Sequence, residues 1–512
     1  VCDERLKRRL QAVDLTRKSP RARDALLSLR DHLDLDMAEH LSGYDRARVC
    51  VPKVCDCGRE SCRYQCFMEV CASDWYQVQI CNHNLLLADA IHRNLGRRPL
   101  LPEWSTLILD EAHKLPEAAR QMFGITLTAA DIHELIRALR GERYLLASET
   151  LEEAARPALR ELARPWDGDR PFSHFVPFLN RPHHTLELIQ KQIGTMLTHG
   201  TQSKLDRLRD KAALFLREQR DMIFYAAEDS HGGTMLCATT PNLTDQLRQT
   251  LWRQQKPMIL TSGTLAVGED FRRFKEATGL LTDSRVRESV SPSPFAYSKN
   301  CLLYVSRLPA HQEAGQYYDS LTGEIAALLD AAHGHALVLF TSYAAMSAVK
   351  ERLREKKLAY PLFTLGRNAV HTTKQFKSTP GGVLLATGAA WEGFDFPGDC
   401  VSLLIIPKLP FPIPDALKEK EREQYPTLHA FLRGIVVPEM QIKLKQGFGR
   451  AIRLETDTCV VAILDERAAR NQRYWKDVLA ALPEMPVTQN IHQVEAFIRG
   501  VKLGSYFQEG AA

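Results

Sequence analysis

The sequence predicts an α/β protein built on parallel β-sheets. Short apolar segments of strand length alternate with helix-forming segments, and an early strand stops directly on acidic residues. The strand candidates are residues 106–109, 258–265, 301–305, 336–340, 382–386, 401–406 and 458–464. Continuous apolar runs are typical of strands buried on both faces, so we expect parallel sheets covered by helices.

Charge and hydropathy exclude several classes of protein. The 512 residues carry 67 Lys and Arg against 62 Asp and Glu, a net charge of +5 that permits an anionic partner without requiring one. No apolar run approaches the roughly 18 residues of a membrane span. Residues 1–9 are charged rather than apolar, so they do not form a signal peptide, and the chain lacks an initiator Met. We expect a cytoplasmic protein with no membrane partner, and a chain that is a piece of a longer one.

The region from about residue 116 to residue 224 has helical periodicity, with apolar residues spaced at i, i+3 and i+4. No strand of comparable quality interrupts it. Since strand character returns at residue 258, we interpret this region as a helical insertion within a first α/β domain. A second α/β domain follows the prolines at 292 and 294, which discourage a continuous element.

The cysteines are clustered. Seven of the twelve lie between positions 50 and 81, and the tightest run spans residues 55–66. In a reducing compartment such clustered thiols bind metal more often than they form disulfides, although buried core cysteines are the alternative. Zinc and an iron–sulfur cluster both accept four thiolates, and the spacing does not separate them.

The strand at residues 106–109 ends on Asp110-Glu111-Ala112-His113. Phosphoryl transfer to water needs a carboxylate to hold Mg²⁺ against the phosphates and a second group to position the attacking water. Asp110 suits the first role and Glu111 the second. The alternative is an acidic helix start, where Asp and Glu are favoured.

With this motif the sequence resembles the DinG/XPD-type iron–sulfur DNA helicases of superfamily 2. Five segments carry the resemblance in the right order, as motifs II to VI: residues 110–113, 261–265, 337–343, 387–398 and 446–453. The resemblance implies two RecA-like parallel-sheet helicase domains, with a cysteine-rich Fe–S insertion and a helical Arch insertion in the first.

The resemblance also implies roles for single residues around ATP and Mg²⁺. The catalytic set would be Asp110, Glu111, His113, Gln446, Arg450 and Arg453. The nucleotide-binding set would be Asp110, Gly263, Glu392, Gly393, Asp395 and Gly449. Gln446 would lie near the attacking water, and Arg450 and Arg453 would neutralise the γ-phosphate from the second domain. These two arginines are three apart, so on a helix they share a face; solvated helix charges are the alternative.

In the same family four cysteines hold a [4Fe–4S] cluster between motifs Ia and II. By this matching the ligands are Cys2, Cys57, Cys62 and Cys66, with Cys55 or Cys71 as substitutes. Asn82-His83 resembles the Asn-His that follows the cluster.

The implied domains are the Fe–S region at 1–75, helicase domain 1 at 76–115 and 236–290, the Arch at 116–235, and helicase domain 2 at 291–512. The implied function is an ATP-dependent helicase that tracks 5′ to 3′ on single-stranded and forked DNA in repair or replication. No Gly-Lys dipeptide occurs in the chain, so we expect residues 1–512 alone to hydrolyse ATP poorly. The alternatives are a metal-bearing nucleic-acid-binding protein without catalysis, and an RNA helicase.

Overall fold

The structure is a computed structural model that describes most of the chain. The described residues are 2–12, 20–32, 34–35, 38, 41–51, 62–165, 170–217, 222–229, 232–240, 243–266, 269–308, 314–365, 369–391, 394–396, 398–414, 416–423 and 425–508. The chain divides into two compact units. Unit 1 comprises Val1–Leu109, Glu117–Met122 and Asp245–Leu260, and unit 2 comprises Asp110–Pro116, Phe123–Thr244 and Thr261–Ala512.

The strands are β1 (Leu107–Leu109), β2 (Ile125–Leu127), β3 (Ile223–Glu228), β4 (Thr234–Thr239), β5 (Met258–Leu260), β6 (Cys301–Val305), β7 (Ala336–Leu339), β8 (Leu362–Thr364), β9 (Val383–Ala386), β10 (Leu403–Ile406), β11 (Cys459–Ile463) and β12 (Val487–Thr488). The α-helices are α1 (Asp3–Ala12), α2 (Pro20–Ser28), α3 (Gly43–Val49), α4 (Arg63–Cys71), α5 (His83–Asn94), α6 (Leu115–Phe123), α7 (Ala129–Gly141), α8 (Leu145–Ala163), α9 (Val176–Ile193), α10 (His199–Arg217), α11 (Leu243–Gln249), α12 (Arg272–Thr278), α13 (Tyr297–Asn300), α14 (Ala314–Ala331), α15 (Tyr343–Glu355), α16 (Ala369–Lys377), α17 (Ala416–Glu423), α18 (Leu428–Phe431), α19 (Val437–Phe448), α20 (Trp475–Ala481), α21 (Ile491–Val501) and α22 (Gly504–Gln508).

Unit 2 is organised around a seven-stranded sheet of order β12-β6-β11-β10-β7-β9-β8. Every pairing in it is parallel. Side chains alternate between its faces: Leu337 and Leu339 belong to the core on one face, and Val338 belongs to the core on the other. Two buried faces explain why these strands read as continuous apolar runs. The predicted parallel α/β architecture is therefore confirmed.

The helical region of unit 2 also contains a sheet. Helices α7 to α10 pack around a common core, and beside them β2, β4 and β3 form an antiparallel sheet in that order. The sequence shows no strand of comparable quality in residues 116–224, but β2 lies within them, so that region is not purely helical. Strand β2 has three residues and pairs with β4, in the register Ile125↔Ala238. A strand this short leaves no local pattern, because it is stabilised by a partner more than 100 residues away.

In unit 1, β1 and β5 pair in parallel with Ile108 opposite Ile259. A buried carboxylate fixes the segment between α5 and β1: Asp89 is fully buried and accepts the backbone N–H groups of Leu100 and Leu101 at 2.7 and 2.9 Å. The Nε of Arg93 donates to it at 2.6 Å. In the described part of the chain, no helix is long and apolar enough to cross a membrane.

Candidate active site

The acidic motif lies in a tight turn directly after β1. Asp110 Oδ1 accepts the N–H of Glu111 at 2.9 Å, and both side chains are exposed. Glu111 has φ 48° and ψ 42°, the left-handed region that a non-glycine residue rarely adopts and that costs about 1–2 kcal/mol. The buried Ala112 follows, and its N–H donates to Thr261 O at 3.0 Å. A backbone hydrogen bond therefore attaches this turn to motif III, and the carboxylates of Asp110 and Glu111 are exposed to solvent.

His113 links the three motifs of this site. Its Nδ1 lies 2.8 Å from Ser262 Oγ and 3.2 Å from Glu111 Oε2. Its Nε2 lies 2.8 Å from Gln446 Nε2. The amide nitrogen of Gln446 donates, so Nε2 of His113 is its acceptor, and Nδ1 faces the serine and the carboxylate. The His113 side chain is 13% exposed.

Ser262 completes the local network on the motif III side. Its hydroxyl donates to Glu111 Oε2 at 3.1 Å and accepts the N–H of Thr264 at 3.2 Å. Gly263 lies at this turn, and a Cβ there would meet nothing within 4 Å. The predicted strand at 258–265 ends at Leu260, because the next residues form this turn. Sequence reasoning did not include Ser262 among the site residues; a hydroxyl two positions after a strand end was the available signal.

Motif VI begins inside a helix and continues beyond it. Helix α19 ends at Phe448, with Gln446 in its last turn. Arg450 therefore lies past the helix, and the prediction that Arg450 and Arg453 share a helical face is wrong. Gly449 at the C-cap has helical backbone angles, and the chain then turns away.

A shared carbonyl nevertheless brings the two arginines together. Phe394 O accepts Nη1 of Arg450, and it accepts Nη2 of Arg453 at 3.5 Å. Nε of Arg453 lies 2.9 Å from Asp395 Oδ1. Residues of motif V thus orient both guanidinium groups. Glu392 and Gly393, also predicted to bind nucleotide, lie outside the described residues.

A buried tryptophan joins motifs IV, V and VI. Trp391 is 1% exposed, and its Nε1 donates to Phe340 O at 3.0 Å, at the end of β7. A Cβ built on Gly447 would lie 2.7 Å from Cζ3 of that ring. Only glycine lets α19 approach the ring this closely.

In unit 1, the structure describes three of the four predicted cluster ligands. Cys2 and Cys62 are each 1% exposed, whereas Cys66 is exposed. Asp3 Oδ2 accepts the backbone N–H of Arg63 at 2.7 Å, and its Oδ1 pairs with Nη2 of Arg63 at 2.6 Å. This pair brings together the backbone segments that carry the two buried thiols.

The structure does not form a complete cysteine site in the described part of the chain. There, no group of three or more His, Cys, Asp or Glu side chains could hold a metal ion. Cys57 and the substitute Cys55 lie outside the described residues, and the other substitute, Cys71, is exposed. Further along, Asn82 caps α5 by accepting the N–H of Leu85 at 2.9 Å.

The fold and the site together define a class of protein. A parallel-sheet domain carries a Gln and two Arg, and that Gln contacts the histidine of an Asp-Glu-Ala-His turn. This is the arrangement expected of a nucleotide-driven RecA-like motor.

Comparison with known proteins identifies the family. Residues 325–485 match the Helicase C-terminal domain family. The ATP-dependent DNA helicase YoaA of Escherichia coli K12 is 30% identical over 452 residues, covering 82% of this chain and 69% of the relative. The ATP-dependent helicase DinG of Mycobacterium tuberculosis H37Rv is 29% identical over 459 residues, covering 85% and 68%. This chain belongs to the DinG/XPD-type helicases of superfamily 2, as its motifs predicted.

A solved structure shows the same fold. The structure of S. tokodaii Xpd4 aligns with a TM-score of 0.50 at 14% identity, covering 80% of this chain and 81% of that chain. At this identity the likeness supports the α/β helicase fold alone.

Proposed function

We propose that this chain is the motor of an ATP-dependent DNA helicase that moves 5′ to 3′ along single-stranded DNA and opens forked duplexes. Relatives named ATP-dependent DNA helicase in the same family support the activity. The observation that carries the proposal is the contact of His113 with Gln446, 2.8 Å across motifs II and VI. Through it, a change at the hydrolytic carboxylates reaches the helix that precedes the arginines.

Hydrolysis of ATP assigns a separate role to each group in the site. Asp110 would hold Mg²⁺ against the phosphates, and Glu111 would orient the attacking water and accept its proton. Ser262 and His113 both contact Glu111 Oε2, which leaves Oε1 as the oxygen for the water. We propose that these contacts, rather than packing, fix the exposed carboxylate.

The arginines would stabilise charge that develops on the transferred phosphoryl group. Each guanidinium has five N–H donors in a planar fork. The Phe394 carbonyl accepts one N–H of each guanidinium, which orients both forks for phosphate oxygens. Arginines placed this way increase phosphoryl-transfer rates by about 10³ to 10⁵ where they have been measured.

We further propose a [4Fe–4S] cluster on Cys2, Cys57, Cys62 and Cys66, with Cys55 or Cys71 as substitutes. The Asp3–Arg63 pair supports this assignment, because it links the backbone segments that carry Cys2 and Cys62. A bound cluster would stabilise this segment as a structural cross-link.

The metal proposal has its own test. Protein purified without oxygen should be brown and contain about four iron atoms and four labile sulfides per chain. Arg63→Met should lower the iron content, and Arg48→Met serves as the matched control. Colourless protein with stoichiometric zinc would overturn this assignment and leave the motor proposal intact.

The domain assignments remain part of the proposal: helicase domain 1 at 76–115 and 236–290, the Arch at 116–235, and helicase domain 2 at 291–512. Single-stranded DNA would bind to the two helicase domains and the Arch. A cytoplasmic location, with DNA repair or replication as the setting, belongs to the same proposal.

The decisive experiment measures ATP turnover with single-stranded DNA, duplex DNA and RNA, on the 512-residue chain and on the natural gene product. We expect single-stranded DNA to stimulate turnover most, and Glu111→Gln to reduce it at least 100-fold, in line with the loss of a general base. Glu117→Gln, an exposed carboxylate six residues away, is the control.

Strand displacement on substrates with 5′ or 3′ overhangs tests the direction of movement. Unwinding only from 3′ overhangs would contradict the proposed polarity. Equal stimulation by RNA would favour an RNA helicase. Tight DNA binding with no turnover in any form would favour a non-catalytic binding protein.

A further inference from the structure

A polar cavity of about 650 Å³ opens in unit 2, away from the motif residues described above. It lies where β6 ends and beside the edge strand β12. Its walls include Arg307, Arg470, Trp475, Gln489, Asn490 and Gln493. A second cavity of about 450 Å³ shares Arg307, Arg470 and Gln489 with the first, so the two form one groove. The carboxyl ends of parallel strands are where open α/β sheets bind ligands.

The groove is basic and its arginines lack acidic partners. Both guanidinium side chains are exposed, and no carboxylate pairs with Arg307 or Arg470 in the described part of the chain. The Nε of Arg307 donates to Gln489 Oε1 at 2.6 Å, which orients its terminal amino groups. Glu466 is the acidic residue on the groove lining, and it lines the smaller cavity but not the larger one. The larger cavity therefore concentrates positive charge.

An aromatic ring and three amides complete the larger cavity. Trp475 is half-buried, packed on one side against the sheet core and exposed on the other to the cavity. Aromatic faces stack on nucleobases of any sequence, and guanidinium groups bind phosphates. The amide oxygens of Gln489, Asn490 and Gln493 already accept Arg307 Nε, the N–H of His492 and the Thr488 hydroxyl, so their amide N–H groups are what they offer to a base edge. The volume falls within the range of sites that enclose a ligand of this size.

We propose that this groove binds one nucleotide unit of single-stranded DNA, with its base on Trp475 and its phosphates on Arg307 and Arg470. The inference rests on the proposed function, which supplies the DNA, and it adds a contact outside the helicase motifs. Strand β6 is parallel to β7 in the same sheet, so this groove and the motif IV loop after β7 lie along one edge. An extended single strand of DNA lying on that edge of the sheet can reach the groove and the motif IV loop.

The test measures binding of a labelled 20-nucleotide oligo(dT) by fluorescence anisotropy at several salt concentrations. Arg470→Gln should weaken binding about threefold to tenfold and reduce the salt slope by about 0.7, the value for one phosphate contact on a single strand. Arg473→Gln changes the same charge three residues away, outside the cavity lining, and should stay within twofold. Thermal unfolding of each variant checks that Arg470→Gln leaves the fold intact.

Photocrosslinking supplies a second readout, which locates the contact on the chain. An oligonucleotide carrying 5-iodouracil should crosslink to Trp475, with a lower yield of the crosslinked peptide in Arg470→Gln. Equal binding by Arg470→Gln and the parent, or an equal loss in Arg473→Gln, would overturn the proposal. Competition by free dTMP at the same concentration as oligo(dT) would assign the groove to a mononucleotide instead of DNA. If the parent itself binds no oligo(dT), the proposed function fails and not merely this site.

Discussion

Replacing Gly447 by alanine tests whether the tryptophan contact positions motif VI. The new Cβ would lie 2.7 Å from Cζ3 of Trp391, where ordinary carbon contacts are 3.4 Å or more, so a gap of about 0.7 Å must open. The ring is buried and its Nε1 is tied to Phe340 O at 3.0 Å, so the ring cannot swing aside without losing that bond.

The net cost follows from two opposing effects. Overpacking a buried site costs about 1–3 kcal/mol, whereas alanine in place of a helical glycine gains about 0.5–1 kcal/mol. We therefore expect Gly447→Ala to lower the free energy of unfolding by about 0.5–2 kcal/mol. At about 2–4 °C per kcal/mol for a domain of 150–250 residues, this corresponds to a decrease in Tm of about 1–8 °C.

Gly323→Ala is the matched control. Gly323 lies inside α14, and a Cβ there would meet nothing within 4 Å. The same substitution should therefore stabilise the protein by about 0.4–1 kcal/mol, opposite in sign. Thermal unfolding gives the two signs, and hydrogen–deuterium exchange of residues 437–448 localises the effect to α19.

The cause can be isolated with a smaller ring. In a Trp391→Phe background, Gly447→Ala should cost at least 1 kcal/mol less than in the parent, a coupling typical of residues in contact. The reasoning is refuted if Gly447→Ala is as stable as the parent, or if its cost is unchanged when the indole is removed.

Three further outcomes are expected. Burial raises the pKa of Asp465, but the hydrogen bond and charge of Arg467 lower it more, so its pKa lies below the ordinary 3.8. The ionised carboxylate therefore stabilises the folded protein above pH 4, and this contribution is lost as pH falls through the folded pKa. Asp465→Asn should flatten acid unfolding curves below pH 4. Asp89→Ala removes the acceptor of two backbone N–H groups and of Arg93 Nε, although Arg93 keeps Glu103 and the Leu101 carbonyl, so it should cost about 2–5 kcal/mol in urea unfolding; a cost below 1 kcal/mol would contradict the burial. His113→Ala removes the contact with Gln446, and it should lower DNA-stimulated ATP turnover at least tenfold while oligo(dT) affinity stays within twofold; unchanged stimulation would show that the contact carries no coupling.

The sequence alone determined the parallel α/β architecture and the helicase family. Both depend on information that is local in the chain. Apolar runs such as residues 403–406 indicate a strand buried on both faces. The motifs are short segments of consecutive residues, so they can be recognised from the sequence without knowing the fold.

Tertiary structure alone decided how the motifs meet. His113 contacts Ser262 and Gln446, which lie 149 and 333 residues further along the chain, and no local period encodes such contacts. The same reason explains strand β2, which exists only because β4 pairs with it. The sequence likewise did not predict that α19 ends before Arg450, because two arginines three residues apart can lie on a helix or in a turn. Local patterns specify elements, whereas the closure of distant segments on one another specifies the site.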